Sequence, residues 1–342
     1  MQELQRHRFA IAPMMDWTDR HCRYLLRLLT THSLLYTEMV TTAALLHGDQ
    51  ERFLRHDASE YPLALQLGGS DPVSLSEGAR IGVDFGYDEI NLNVGCPSDR
   101  VQSGRFGACL MAEPGLVAEC VAAMNHAVSV PVTVKTRIGI DDRDSYEELA
   151  HFIQCVQAAG CDTFIIHARK AYLQGLSPKE NRTVPPLNYA FAWRIKQEFP
   201  GLAIIVNGGI ENLEQAADHL DNVDGVMLGR AAYHNPWLLA QVDARIFNDP
   251  HPVPTREAIV HSMIPYIERE LQQGSRLKHI TRHMLGLFQG VPGARHWRRH
   301  LSEHAPQANA GSEVVIQALD KLVRANDSAG GTDSPTSGYS HG

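Results

Sequence analysis

Short apolar runs alternate with longer amphipathic stretches along the chain up to Ile246. Most of the runs are continuous and rich in β-branched residues or Leu, which is typical of strands buried on both faces of a parallel sheet. We predict strands at Phe9–Ala12, Leu34–Met39, Leu63–Leu67, Ile90–Asn93, Val132–Thr136, Thr163–His167, Ala203–Val206 and Gly225–Leu228. The amphipathic stretches predict helices that include Trp17–Leu29, Pro72–Phe85, Pro114–Val128, Ser145–Ala159 and Leu213–Leu220.

Strands that alternate with helices predict an α/β protein, a (β/α)8 TIM barrel over residues 1–247. A doubly wound sheet is the alternative, but no G-x-G-x-x-G follows any predicted strand, which weakens it. The Pro-rich segment Asn248–Pro254 marks a domain boundary. Beyond it we expect a small all-helical domain over residues 248–325 and a disordered, mostly polar tail over residues 326–342. The helices predicted in this domain are Arg256–Gln273, Leu277–Phe288 and Val314–Ala325.

The composition is that of an ordinary soluble globular protein. The 342 residues are 44% hydrophobic and 20% charged, and no apolar run is long enough to span a bilayer. Met1–Arg8 is polar and has no signal-peptide core. The six cysteines include no CxxC pair, so we expect no disulfide framework and a reducing, cytoplasmic setting.

Basic residues cluster in the predicted helical domain, although the net charge is −8. The stretch from Arg276 to Ser302 contains no Asp or Glu. A solvated helix face is the simplest explanation of such a cluster, and binding to RNA is the alternative. The histidine pairs of this region have i, i+4 spacing but no clear third ligand, so we predict no metal site. The basic residues are Arg276, Lys278, Arg282, Arg295, Arg298 and Arg299.

One cysteine stands at the end of a predicted strand. Gly95 and Pro97 break the apolar run that begins at Ile90, and they place Cys96 just past its end. Catalytic residues of (β/α)8 barrels gather on that face. A buried structural thiol is the alternative, because free Cys is among the most buried residue types.

Polar residues and glycines end the neighbouring strands. Lys135 closes an apolar run and would point into the barrel mouth, where a buried ammonium needs an anionic partner. Glycines after the last two strands can close backbone N–H groups around a phosphate, although they can also be simple strand breakers. Flavin mononucleotide (FMN) fits both features, because it joins a phosphate to a planar ring that can carry negative charge. Further strand-end residues are Gln66, Asn93, Arg137, His167, Arg169, Asn207, Gly208, Gly209, Gly229 and Arg230.

The motifs at these strand ends resemble those of the tRNA-dihydrouridine synthase family. Asn91–Pro97, followed by Gly104–Ala108, is similar to the signature of that family. Other segments resemble its bacterial A subgroup, and the resemblance extends roughly from Phe9 to Val323. These segments are Ala12–Arg20, His167–Lys170, Gly175–Arg182, Gly286–Phe288 and Trp297–Arg299.

The resemblance implies a flavin enzyme that reduces uridine to 5,6-dihydrouridine in the tRNA D-loop, at positions 20 and 20a, with NADPH as reductant. Cys96 would donate a proton to C5 of uracil while the flavin delivers hydride to C6, and Asn93 would hydrogen-bond the uracil edge. A thiol suits this role, because it is protonated near neutral pH and can still give up its proton. Lys135 would stabilise negative charge on the flavin. The implied FMN-binding residues are Pro13, Met14, Met15, Gln66, Lys135, His167, Asn207, Gly208, Gly209, Gly229 and Arg230.

The implied partner is tRNA, bound at its D-loop and elbow, with no protein partner and no membrane. Phosphate contacts position an RNA without reading its sequence, so we expect salt-sensitive binding. Trp17 would contact the flavin or pack at the start of the first helix. The implied tRNA contacts, which with Trp297 would flank the barrel mouth, are Lys179, Arg182, Arg295, Arg298 and Arg299.

Two other functions fit part of the pattern. A flavin barrel that reduces a free pyrimidine or an enone accounts for Lys135 and Cys96 but gives no reason for the basic helical domain. A flavin-free barrel that only binds structured RNA would have no activity to lose when Cys96 is replaced. NADH fits the sequence as well as NADPH, because no dinucleotide fingerprint is present.

Overall fold

A closed barrel of parallel strands forms the first part of the protein. The computed structural model describes residues 5–98, 101–102 and 104–330. The strands follow each other around the barrel in chain order, and the last pairs with the first. The predicted (β/α)8 barrel is therefore confirmed, and the doubly wound alternative is wrong. The strands are β1 Phe9–Ile11, β2 Leu34–Thr41, β3 Leu63–Gly68, β4 Glu89–Val94, β5 Val132–Arg137, β6 Thr163–His167, β7 Ala203–Asn207 and β8 Gly225–Leu228.

Strand β4 places polar side chains on the inner face of the barrel. Glu89, Asn91 and Asn93 alternate along the strand and are all buried. Since alternate residues of a strand share a face, the three side chains lie on one side of β4. The strand begins one residue before the predicted Ile90, because the prediction followed apolar residues only.

Helices connect the strands. Helix α1 is shorter than the predicted Trp17–Leu29, because Asp19 accepts a hydrogen bond from the Cys22 N–H and caps the helix there. Trp17 lies in the turn that precedes this cap. The helices of this part are α1 Arg20–Arg27, α2 Thr42–His47, α3 Gln50–Leu54, α4 Pro72–Asp84, α5 Pro114–Ala127, α6 Tyr146–Ala158, α7 Tyr189–Glu198, α8 Leu213–Leu220, α9 Arg230–His234 and α10 Val242–Ile246.

The described chain forms two compact units. The first contains the chain up to Ala232 together with Leu238–Pro252, and the second contains Tyr233–Trp237 and the described residues from Val253 onward. In the described residues, no helix is long and apolar enough to cross a membrane. The helices from Val253 onward are α11 Arg256–Gln272, α12 Leu277–Thr281, α13 Ala294–His304 and α14 Glu313–Gly330.

The second unit differs from its prediction in three places. The predicted helix Leu277–Phe288 ends at Thr281 and is followed by turns, in which the Met284 carbonyl accepts from the indole N–H of Trp297 at 3.0 Å. Helix α13 was not predicted. Helix α14 continues through Gly330, into the segment expected to be a disordered tail, and the remainder of that segment lies outside the described residues.

Candidate active site

The strand register brings the predicted site residues of β4 to β7 together at the carboxyl ends of the strands. Asn93 on β4 pairs with Lys135 on β5. Arg137 on β5 pairs with His167 on β6, which in turn pairs with Asn207 on β7. These five side chains therefore form one neighbourhood at the face of the barrel where catalytic residues gather.

Backbone contacts hold the loop that carries Cys96, and the Cys96 residue is half-buried. The Asn93 carboxamide oxygen accepts from the N–H of Gly95 at 3.1 Å and from that of Cys96 at 3.0 Å. The Cys96 carbonyl accepts from the N–H of Ala108 at 2.9 Å. A Cβ at Gly107, where φ is +76°, would lie 2.5 Å from the same carbonyl oxygen. The sequence that follows Cys96 therefore folds back onto its loop and needs glycine to do so.

Arg137 joins the Cys96 loop to the loop that follows β6. Its guanidinium donates to the carbonyls of Gly95 at 2.8 Å, Asn181 at 3.0 Å and Lys170 at 3.1 Å. Burial, opposed by Cys96, lowers the pKa of Arg137 to about 10, so the side chain stays charged at neutral pH. The sequence pattern identifies Arg137 as a strand-end residue but does not predict its role. Its three acceptors lie on two loops that are separate in sequence, so no local motif connects them to Arg137.

Lys135 is a cation whose charge is destabilised by its surroundings. Its ammonium donates to the Asn207 carboxamide oxygen at 3.1 Å, and the Asn207 amide donates to the Met227 carbonyl at 2.7 Å. Burial, followed by the charge of Arg137, lowers the pKa of Lys135 from 10.5 to about 7. The site therefore holds Lys135 near the midpoint of its titration at neutral pH.

His167 is held neutral by the same surroundings. Burial and then the charges of Arg137 and Lys135 lower its pKa well below the usual range. A Cβ at Gly208, where φ is +109°, would lie 2.6 Å from the His167 ring. The loop after β7 can therefore approach the imidazole only because residue 208 is glycine.

Six basic side chains meet at this end of the barrel without acidic partners. In the described part of the chain, none of them forms an ion pair with a carboxylate. Arg230 lowers the pKa values of Arg169 and Arg182, after the effect of burial. The Arg169 Nε is buried without a hydrogen-bond partner among the described residues. Such a cluster is suited to bind an anion. Its members are Lys135, Arg137, Arg169, Arg182 and Arg230, which we call the cationic cluster, and the neutral His167 that lies among them.

The glycine loops after β7 and β8 differ in how tightly they are packed. Gly209 has a φ of +74°, and a Cβ there would lie 2.8 Å from the hydroxyl oxygen of Tyr189. The Tyr189 hydroxyl itself donates to the Gly208 carbonyl at 2.6 Å. At Gly229 a Cβ would be 3.5 Å from the Met14 sulfur, an ordinary contact. Glycine is therefore sterically required at positions 208 and 209 in the loop after β7, but not at position 229 after β8.

The loop after β1 and the end of β2 contribute further groups. Pro13 is half-buried, Met14 is buried, and Met15 is 55% exposed. Glu38 accepts from the N–H of Asp16, and burial, followed by the charge of Asp19, raises the pKa of Glu38. Sequence reasoning missed Glu38, because this residue lies within the predicted strand Leu34–Met39 and was counted only as part of it.

The predicted RNA contacts divide between the two units. Lys179 and Arg182 are exposed on the loop after β6 in the first unit. Helix α13 of the second unit exposes Arg295, Arg298 and Arg299 on one side.

Trp297 does not share the exposure of its neighbours on helix α13. Its indole is completely buried and packs on Phe288 with ring centroids 4.9 Å apart. Trp297 therefore belongs to the core of the second unit and has no exposed surface with which to contact an RNA. In the described residues, no three His, Cys, Asp or Glu side chains come together as a metal site.

Comparison with known proteins adds a family match and similar relatives. Residues 10–323 match the family model described as dihydrouridine synthase. A tRNA-dihydrouridine(20/20a) synthase of Vibrio cholerae is 63% identical over 316 residues, which are 92% of this chain and 96% of that protein. The protein of the same name from Escherichia coli K12 is 61% identical over 317 residues, covering 92% of this chain and 91% of the relative.

A solved structure of 2-naphthoyl-CoA reductase in complex with 2-naphthoyl-CoA is similar in fold. The TM-score is 0.52 at 13% sequence identity, and the match covers 69% of this chain. The match spans about half of that reductase, 49% of its chain. At this identity the likeness supports the barrel fold alone.

Proposed function

The chain belongs to the dihydrouridine synthase family, and we propose that it reduces uridine to 5,6-dihydrouridine in the D-loop of tRNA, at positions 20 and 20a, with FMN and NADPH. One observation carries the proposal: the cationic cluster has no acidic partner among the described residues, and its Arg137 donates to the carbonyl of Gly95, the residue before the half-buried Cys96. A proton donor next to an anion site is what a flavin-dependent reduction of uracil requires. The cytoplasm is the proposed location, consistent with six free cysteines.

The residues of the barrel mouth fit FMN. The phosphate would bind where the loop Gly208–Gly209 approaches His167 beside the cationic cluster. The buried Nε of Arg169, which has no hydrogen-bond partner among the described residues, would gain an acceptor there. Gln66 and Asn207 would hydrogen-bond the polar edge of the flavin ring, with Lys135 as the positive charge beside it. The remaining proposed contacts are those of Pro13, Met14, Met15, His167, Gly229 and Arg230.

The chemistry of the proposed reaction divides between cofactor and protein. When bound, FMN supplies the hydride for C6 of uracil and NADPH replaces it. Cys96 supplies the proton for C5 from Sγ, so that the C5–C6 double bond gains one hydride and one proton in total. Asn93 holds the Cys96 loop through its carboxamide oxygen and would offer its remaining amide N–H to a uracil carbonyl.

The barrel mouth can reach a tRNA base only when the base leaves its stack, which costs on the order of a few kcal/mol. Contacts to phosphates can offset that cost. We propose that Lys179 and Arg182 on the first unit, and Arg295, Arg298 and Arg299 on the second, provide these contacts.

The exposed face of α13 allows a matched test of tRNA binding. Arg299 donates to Glu303 at 2.7 Å, whereas neither Arg295 nor Arg298 pairs with a carboxylate among the described residues. We expect the double variant Arg295→Ala/Arg298→Ala to weaken tRNA binding and to reduce the salt slope by about 1 for each phosphate that it no longer neutralises. Arg299→Ala should have the smaller effect, because its charge is already compensated. Filter binding of tRNA over a series of salt concentrations measures both values, and equal slopes in all variants would remove α13 from the tRNA interface.

The proposed function is tested by the nucleoside content of a defined RNA. Unmodified tRNA is incubated with the purified protein, FMN and NADPH, digested and analysed by mass spectrometry, with free uridine and NADH in parallel reactions. We expect dihydrouridine from tRNA, mapped to positions 20 and 20a, and none from free uridine. Reduction of a free pyrimidine without RNA would favour the small-substrate flavin barrel. A protein that binds tRNA but no FMN would instead be an RNA-binding barrel.

A further inference from the structure

A chain of buried hydrogen bonds crosses the interior of the barrel below the candidate active site. Asn93 donates to the Gln66 carboxamide oxygen at 2.8 Å, and the Gln66 amide donates to the Asn91 carboxamide oxygen at 2.8 Å. The Asn91 amide donates to the Thr133 hydroxyl at 2.8 Å, which donates to the Glu89 carboxylate at 2.6 Å. All five residues are at most 8% exposed. We call this set the amide chain.

The strand register explains why these side chains meet. Gln66 on β3 pairs with Asn91 on β4, and Asn91 pairs with Thr133 on β5. The three residues therefore occupy one row across neighbouring strands, where side chains on the same face can touch. Asn93 and Glu89 lie two residues above and below Asn91 on the same face of β4.

The direction of the amide chain is fixed at its upper end. The Asn93 carboxamide oxygen accepts from the backbone N–H groups of Gly95 and Cys96, and a backbone N–H can only donate. The Asn93 nitrogen must therefore face Gln66, and the same requirement passes through the Gln66 amide to Asn91.

The lower end of the amide chain demands the same direction. Burial would raise the pKa of Glu89, but His7, Thr133 and Tyr36 together lower it, so the carboxylate is ionised at neutral pH. An ionised carboxylate can only accept, so the Thr133 hydroxyl must donate to it and accept from Asn91. The two ends agree, and each amide has one orientation that satisfies all its partners.

We propose that Glu89 is a positioning residue that acts through Thr133, Asn91 and Gln66 on the amide of Asn93, and so on the loop that carries Cys96. Glu89 lies at the start of β4 and Cys96 beyond its end. The part of this inference that treats Gln66 as a cofactor contact and Asn93 as a uracil contact rests on the proposed function. For the Cys96 loop the inference rests on the hydrogen bonds alone.

Interrupting the amide chain should transfer an unsatisfied hydrogen-bond donor from the core to the barrel mouth. In Thr133→Val the Asn91 amide loses its acceptor in a buried site, which is unfavourable. If the side-chain amides of Asn91, Gln66 and Asn93 each rotate by 180°, the donors left without a partner are the N–H groups of Gly95 and Cys96, where water can reach them. The Cys96 loop then loses the oxygen that holds it.

Two variants serve as matched controls. Thr133→Ser keeps the hydroxyl and the full amide chain. Tyr36→Phe removes another donor to Glu89, whose hydroxyl contact is 2.7 Å, but leaves the amide chain uninterrupted. Thr133→Val and Tyr36→Phe should therefore both lower thermal stability, and only the first should alter the mouth.

The experiment measures the full-length protein without tRNA or NADPH. Hydrogen exchange of the peptide that contains Gly95 and Cys96, and alkylation of Cys96 by iodoacetamide followed by mass spectrometry, report the loop directly. We expect both rates to rise at least tenfold in Thr133→Val and to stay within twofold of the unaltered protein in Thr133→Ser and Tyr36→Phe. Asn91→Leu, which interrupts the amide chain one step nearer the mouth, replaces Thr133→Val if that variant does not fold.

The outcomes separate this inference from the proposed function. Equal exchange and alkylation rates in Thr133→Val and Tyr36→Phe would overturn the positioning role, even if the unaltered protein forms dihydrouridine. Faster rates in Thr133→Val alone would support it, even if no dihydrouridine is formed. Where both hold, the turnover of Thr133→Val should be at least tenfold below that of Thr133→Ser.

Discussion

Cys96→Ala is expected to reduce dihydrouridine formation by roughly 10²- to 10⁴-fold, the usual contribution of a positioned proton donor. The Cys96 loop is held by backbone contacts and by the Asn93 oxygen, none of which involves the thiol. The thiol's own contact is with the Ser98 hydroxyl at 3.6 Å, so the substitution should leave the backbone of the loop in place while it removes that contact and the proton donor. FMN should remain bound, and NADPH should still bleach its absorbance. Rapid-mixing absorbance measures cofactor reduction, and nucleoside mass spectrometry measures the product.

The matched control is Cys109→Ala. Cys109 is also a half-buried free thiol, it lies in the segment that folds back onto the Cys96 loop, and its sulfur contacts the Phe106 carbonyl at 3.1 Å. We expect this variant to retain full activity. Loss of FMN from the Cys96→Ala protein would contradict the proposed role and make the thiol a structural group, as would equal losses of activity in the two variants.

The barrel could be predicted from the sequence because its strands are buried on both faces. Thr163–His167 and Gly225–Leu228 agree with the predicted strands at both ends. The apolar residues of these two strands, Phe164–Ile166 and Val226–Leu228, lie in the core, so the hydrophobic pattern locates both strands. The residues that follow such runs, Lys135 and Cys96 among them, could for the same reason be placed at the barrel mouth.

The interactions between strand ends could not be predicted in the same way. The three carbonyls bound by Arg137 are separated from it by up to 44 residues, and the amide chain needs β3, β4 and β5 in one register. Neither leaves a periodic signal in the sequence. The arginines that surround Trp297 in sequence suggest an exposed side chain, whereas helix α13 turns its indole inward.

The affinity for FMN is expected to fall as the pH rises above about 7. Burial lowers the pKa of Lys135 to about 7 in the folded protein, so the ammonium loses its proton above that pH. An anionic ligand that needs the ammonium must then bind together with a proton, which costs up to about tenfold in affinity for each pH unit. Quenching of FMN fluorescence between pH 6.5 and 9 measures the affinity, and calorimetry in two buffers measures the proton uptake.

Lys135→Met should lower the affinity for FMN by roughly 10- to 100-fold at pH 6.5, the value of a charge-assisted hydrogen bond. The variant should also bind FMN with little dependence on pH. Lys170→Met is the control, because Lys170 pairs with Asp144 at 2.7 Å and its pKa is raised. An affinity that is constant between pH 7 and 9, without proton uptake, would show that Lys135 does not bind the cofactor as an ammonium.

The same shift makes a prediction for the protein without cofactor. An unfolded lysine keeps its proton up to its ordinary pKa of 10.5, whereas folded Lys135 releases it near 7. Between these values the unfolded chain binds more protons, so Lys135 makes the free energy of unfolding rise with pH. Urea unfolding at pH 7 and 9 should show this rise in the unaltered protein and a smaller one in Lys135→Met. Bound FMN should reduce the rise, because an anion beside the ammonium restores its pKa. The buried cations of the cationic cluster would thus lower the stability of the cofactor-free protein and, at the same time, provide a binding site for an anion.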